Sequence, residues 1–103
     1  MRMILFFDLP MQTYLDRKEY TLFRKFLIND GFIMMQESVY CKLALNNSIV
    51  KAERARLEAH KPADGDVELL VITEKQFSQI DYIVGKKKAE TEDSENRLIV
   101  LWN

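Results

Sequence analysis

The sequence is short of the residues that usually announce a chemistry. Of 103 residues, one is cysteine (Cys41) and one is histidine (His60). A lone thiol excludes an intrachain disulfide framework and a multi-cysteine metal site. Cys41 lies in an apolar, strand-like run, where a buried thiol is the ordinary reading. No apolar run approaches the ~20 residues needed to span a bilayer. The N-terminal one is cut off by Asp8, too short for a secretory h-region, so the chain reads as cytoplasmic with no membrane partner. Charge of one sign is lacking too: the net charge is −1, which excludes a global pull toward nucleic acid. The near-balance hides an asymmetry. Residues 1–61 carry ten Lys/Arg against seven Asp/Glu, while residues 62–103 carry five against nine. Any phosphate-binding surface therefore belongs to the first half.

What is present is a single domain's worth of alternating elements. RMILFFD, residues 2–8, reads as a strand that Pro10 stops. After the loop 9–15, Asp16 is the expected N-cap of a helix, with Glu19 three residues on. The helix runs to about Asp30, and Gly31 ends it. Tyr20, Phe23, Phe26 and Leu27 form its core stripe; Arg17, Lys18, Arg24 and Lys25 lie on its other side. Residues 32–44 read as a long strand. Asn46 or Asn47 caps a second helix reaching about His60, whose Ala52, Ala55 and Ala59 suit close packing. A turn at 62–65 leads to a strand over 66–73, then a short turn of helix over 74–78 and a strand over 80–84. We assign this set to α+β, the split βαβ or ferredoxin-like arrangement β-α-β-β-α-β. Residues 1–85 would form the domain. KKKAETEDSE, residues 86–95, is too polar to bury and reads as a flexible linker. Residues 96–103 add a C-terminal strand.

The strands are apolar on both faces. Met3, Leu5 and Phe7 alternate with Ile4 and Phe6; Val67, Leu69 and Val71 alternate with Leu70 and Ile72. Such strands belong in sheets covered on both sides, yet both helices of a split βαβ fold lie on one side. The uncovered face exceeds what monomers tolerate, and the same face of a second copy is the simplest cover. This predicts a two-fold homodimer through the sheet face, with Phe6, Tyr40 and Trp102 as interface candidates. The last strand is expected to pair with the partner's sheet edge. Asp8 falls at the end of the first strand, on the face of Ile4 and Phe6. A two-fold axis there brings two carboxylates together, which repel unless a proton or cation lies between them. Mg²⁺ suits such oxygen ligands. An Asx-type cap on the Leu9-Pro10 loop is the alternative for Asp8, and these residues leave the two open.

A strand ending in Asp8, a basic first helix ending at Asp30-Gly31 and the triplet Ser38-Val39-Tyr40 resemble the CRISPR-associated protein 2 family, the small dimeric partner of the spacer integrase. The uncharged loop from Leu9 to Leu15 resembles its type II-A branch; many other members carry arginines soon after the strand-end acid. The resemblance implies a metal-dependent endonuclease acting on RNA or DNA, and a scaffold of the spacer-acquisition complex. It puts Asp8 at the metal-binding and catalytic acid position, Ser38 and Tyr40 at the serine and aromatic positions, and Arg17 near the family's helix-start arginines. Ser38 would bond a metal water or a phosphate oxygen, completing the catalytic pair with Asp8. His60 lies far along the chain from Asp8 and offers no general base.

Arg17, Lys18, Arg24 and Lys25, with Lys51, Arg54 and Arg56 on the second helix, would hold duplex DNA by its phosphates. The ordinary reading of such a charge run is a solvated face with pairs such as Arg54–Glu58. Two alternatives to the nuclease stand beside it: a non-catalytic nucleic-acid scaffold, and a ferredoxin-like RNA-binding or regulatory module using an open sheet.

Overall fold

A computed structural model of the chain describes residues 1–85. The expected linker over 86–95 and the strand over 96–103, Trp102 included, lie outside the described residues. The elements run β1 (Arg2–Asp8), α1 (Tyr14–Asn29), β2 (Ile33–Gln36), β3 (Val39–Leu43), α2 (Asn47–His60), β4 (Asp66–Ile72) and α3 (Glu74–Ser78). The strands form one antiparallel sheet of order β2-β3-β1-β4. This is α+β with the β-α-β-β-α-β order of the split βαβ arrangement, followed by α3. Among the described residues no helix is long and apolar enough to cross a membrane.

The order is reached by a different route from the expected one. Residues 32–44 are not one strand. The chain reverses at Glu37 and Ser38, and β2 folds back on β3 with Met34 opposite Tyr40. An apolar run long enough for one strand also suffices for two short ones, and the polar pair at its middle accepts a turn. Residues 80–84, expected as a strand, are irregular: Ile83 and Val84 stand 90% and 92% exposed. α3 carries the chain over the sheet face, where Phe77 and Ile80 pack against Ile4 and Cys41.

Helix α1 starts earlier than expected because Thr13, not Asp16, caps it. The Thr13 hydroxyl accepts from the Asp16 N–H (3.0 Å), and the Asp16 carboxylate accepts from the Thr13 N–H (3.1 Å). That is a capping box with Asp16 as its inner partner. Its far end behaves as the sequence implied: Asp30 is the C-cap and Gly31 takes a left-handed φ of 97°. Asn46 caps α2, accepting from the Ile49 N–H at 2.9 Å. The alanines of α2 do not pack. Ala52, Ala55 and Ala59 are exposed, while Val50, Glu53 and Leu57 face inward. The larger side chains bury more apolar area, so they set the inward stripe.

Both long helices cover one face of the sheet. Leu5, Phe7 and Tyr40 meet Phe23 and Leu27 there, with Phe7 edge-on to Phe23 (5.4 Å) and stacked on Tyr40 (5.6 Å). Glu53 is carried fully inside because its counter-ions come along. Lys42 Nζ lies 2.6 Å and Arg56 Nη2 2.8 Å from its Oε1, and Arg56 Nε reaches Asp30 at 3.2 Å. Lys42 also donates to the Asp30 carbonyl. Burial, then the hydrogen bond and charge of Glu53, raises the Asp30 pKa. Burial pushes Glu53 up as well, but hydrogen bonds with Asp30, Lys42 and Arg56 outweigh it and hold that carboxyl below its ordinary value. The group ties the end of α1 to β3 and α2.

The second face is not bare, and the expectation of a fully uncovered sheet is corrected by α3. Arg2 is fully buried on that face. It forks onto Glu74 (Nη2 2.8 Å, Nε 3.1 Å) and lies 4.1 Å over the Phe77 ring. This pins α3 across the sheet, and Phe77 covers Ile4 and Cys41. Among the described residues, Phe6 (38%), two residues before Asp8, and Leu70 (48%), across from Ile4, stay exposed on this face. Replacing Phe77 by Ala should cost about 3 kcal/mol, the usual loss for a buried phenyl ring. Urea unfolding would measure it, with Cys41 becoming reactive to a thiol reagent in the folded state.

Candidate active site at the end of the central strand

β1 runs through the middle of the sheet, so its last residue has a strand on each side. Asp8 stands opposite Asp66, the first residue of β4. On the other side the Phe7 N–H donates to the Ser38 carbonyl (3.1 Å), drawing the β2–β3 turn alongside. The three strand ends border an open cleft of about 590 Å³, with polar lining from Asp8, Ser38, Asp66 and Glu68 and apolar lining from Phe6 and Val39. Asp8 is exposed, and its carboxylate accepts no hydrogen bond from the described residues. The Asx-type cap on the Leu9-Pro10 loop is therefore not formed, and the acid is left for the cleft.

Gly65 makes this meeting possible. Its φ is 97°, and a Cβ there would lie 2.6 Å from the Asp8 carbonyl oxygen and 2.8 Å from the Leu9 side chain. No other residue lets β4 start this close to β1. Asp66, Glu68 and Gly65 were not among the sequence candidates. The turn Pro62-Ala-Asp-Gly65 was legible, but only the antiparallel register puts the residue after it across from Asp8.

The donors in the cleft are all oxygens, the chemistry of a hard divalent cation. Among the described residues no group of three or more His, Cys, Asp or Glu is gathered closely enough to hold a metal.

The other expected residues are dispersed. Tyr40 is fully buried on the helix-covered face, so it does not share the open face with Phe6 as an interface residue would. Of the seven basic residues, three have structural partners. Arg17 donates to the Gln12 and Met11 carbonyls (3.2 and 3.4 Å), Arg24 Nε to the Tyr40 hydroxyl (3.0 Å), and Arg56 pairs with Glu53 and Asp30. Lys18, Lys25, Lys51 and Arg54 are exposed, with no ion pair to another described residue. Glu58 pairs with Lys61 (2.6 Å) rather than Arg54. His60 stacks on Phe26 (4.2 Å, 11°), with Nδ1 2.9 Å from the Arg56 carbonyl, packed on α1 and absent from the cleft.

A strand-end acid on a ferredoxin-like sheet, beside a Ser-Val-Tyr turn, agrees with the comparison with known families. The family model described as CRISPR associated protein Cas2 matches residues 1–80. The chain belongs to the Cas2 family. A relative from Streptococcus mutans is 50% identical over 101 residues, covering 98% of this chain and 93% of its own. One from Treponema denticola is 49% identical over 105 residues, covering 98% and 100%. One from Ligilactobacillus salivarius is 44% identical over 101 residues, covering 98% and 100%. Each of these Cas2 relatives bears the name CRISPR-associated endoribonuclease Cas2. For this Cas2-family chain, Gly65→Ala is expected to cost more than about 1 kcal/mol through its left-handed φ alone. It should also displace the Asp8 end of β1, read as faster amide exchange at residues 7–9.

Proposed function

We propose that the chain is a dimeric, metal-dependent endonuclease of CRISPR adaptation, which also binds duplex nucleic acid as the central scaffold of the complex with the spacer integrase. The observation that carries the catalytic part is Asp8: a carboxylate with no partner among the described residues, at the end of a central strand, in a cleft shared with Ser38. Exposed Phe6 beside it, with Leu70 further along the same face, favours a second copy as cover, and a two-fold near Phe6 would bring the two Asp8 carboxylates together. Their mutual repulsion makes the pair a strong cation site. Mg²⁺ held by them would polarise a phosphate and lower the pKa of a bound water. The Ser38 hydroxyl is the donor for a phosphate oxygen. Lys18, Lys25, Lys51 and Arg54 are the cations left for a nucleic-acid backbone, which they would hold without reading sequence.

The scaffold without catalysis is the second reading. It draws on the same exposed cations and on the short count of carboxylates that one chain offers. An RNA-binding sheet of the base-stacking kind is disfavoured: α3 buries Phe77 against the sheet and leaves Phe6 as the exposed aromatic of that face among the described residues.

Cleavage of RNA and DNA by wild type and Asp8→Ala, with and without Mg²⁺, separates the readings. The nuclease expects a loss of at least about 100-fold in the variant and in chelator, several kcal/mol of transition-state stabilisation. Equal activity in both proteins would sink it. Spacer insertion with the integrase supplied should survive the substitution if the scaffold role is independent. For the dimer, Phe6→Glu puts a charge into the proposed contact and should leave a folded monomer in sedimentation; an unchanged dimer would move the interface elsewhere.

A further inference from the structure

We propose that Tyr20 and Arg24 of α1 are positioning residues that hold the 37–38 turn, and with it Ser38, against the Asp8 end of β1. The proposal rests on the reading of Asp8 and Ser38 as the working pair and extends it to side chains that do not line their cleft.

The contacts converge on one short turn. The Tyr40 ring, two residues beyond Ser38, is fully buried and stacked on Phe7, the residue before Asp8, at 5.6 Å and 28°. Its hydroxyl accepts from Arg24 Nε at 3.0 Å. The Tyr20 hydroxyl donates to the Glu37 carbonyl at 3.4 Å, and the Phe7 N–H donates to the Ser38 carbonyl at 3.1 Å. Tyr20 and Arg24 are four residues apart, so one side of a rigid helix carries both contacts. Burial, with Tyr40 and Glu37 nearby, raises the Tyr20 pKa and keeps its hydroxyl a donor.

The turn needs this support because the ladder around it is weak. β2 is a four-residue edge strand, and its register with β3 shifts between Met34 and Gln36, immediately before the turn. A hydroxyl displaced by about 1 Å can cost a hydrolytic site two orders of magnitude. The same geometry reassigns Arg24. The sequence offers it as a phosphate ligand, but its Nε is engaged with a buried phenol.

The test uses the full chain with Arg24→Gln, Tyr40→Phe, Tyr20→Phe, Arg24→Lys and the Arg24→Gln/Tyr40→Phe double variant. Tyr40→Phe keeps the ring stacked on Phe7 and removes only the hydroxyl. Amide exchange at residues 36–39 should speed up about five- to tenfold in each of the Gln and Phe single variants, the worth of one ordinary hydrogen bond. Exchange in the middle of β1 should not change. The double variant should be no worse than the more affected of its two singles, and Arg24→Lys should recover part of the loss. Cleavage should follow the same pattern in kcat, while duplex affinity and its salt slope stay at wild-type values. Unchanged exchange at 36–39 overturns the proposal. So does an Arg24→Gln effect that adds fully to that of Tyr40→Phe, or one that lowers duplex affinity and reduces the salt slope by about one, the mark of a phosphate ligand. If Asp8→Ala cleaves as well as wild type, the nuclease reading fails by itself, and the exchange data still decide whether Tyr20 and Arg24 hold the turn.

Discussion

A central strand that is apolar on both faces has to be covered twice, and the rest of this molecule is arranged around that requirement. On one face of β1 the solution is ordinary: two amphipathic helices place Phe23, Leu27 and Leu57 over Leu5, Phe7 and Tyr40. On the other, a five-residue helix does the work with an unusual anchor, a fully buried arginine clamped between Glu74 and the Phe77 ring. A buried charge is tolerated only when it is paired. Arg2 therefore fixes where α3 can lie, and α3 fixes how much of the second face stays open. The roof reaches the Arg2 end of β1 and leaves the Asp8 end uncovered. Exposed Phe6 and an acid without a partner among the described residues consequently occur at the same end of the sheet.

That coincidence links packing to chemistry. Phe6 lies exposed on the same face as Asp8 and lines the same cleft, so a partner that covered the one would meet the other. In the proposed dimer the apolar contact would provide the binding energy that brings two like charges together, since two carboxylates do not approach each other unaided. The second charged group, Lys42, Glu53, Arg56 and Asp30, has a different role. It closes the far side of the helical layer, where α1 ends against β3 and α2. It engages Arg56 with two carboxylates.

The basic residues show why charge read along a chain overstates a binding face. Arg17, Arg24 and Arg56 looked equivalent to Lys18, Lys25, Lys51 and Arg54 in the sequence. In the fold the three arginines have carbonyl, phenol or carboxylate partners, and the lysines with Arg54 have none among the described residues. The guanidinium group presents several donors in a plane and finds acceptors on its own protein more readily than an ammonium does.

The sequence by itself determined the α+β class, the first strand and both long helices, the core stripe of α1, a cap at Asn46 or Asn47, the stop at Gly31, and the family through the strand-end Asp8 and Ser38-Val39-Tyr40. These follow from local periodicity, turn chemistry and short motifs, which need no knowledge of distant neighbours. Tertiary structure decided the rest. The roof over Ile4, the burial of Tyr40 and the meeting of Asp8 with Asp66 all depend on residues far apart in the chain, while the hairpin within residues 32–44 is a local choice that an apolar run of that length leaves open. Which face a strand residue occupies, and what stands across from it, is set by register, and register is a property of pairs of strands that neither strand encodes alone.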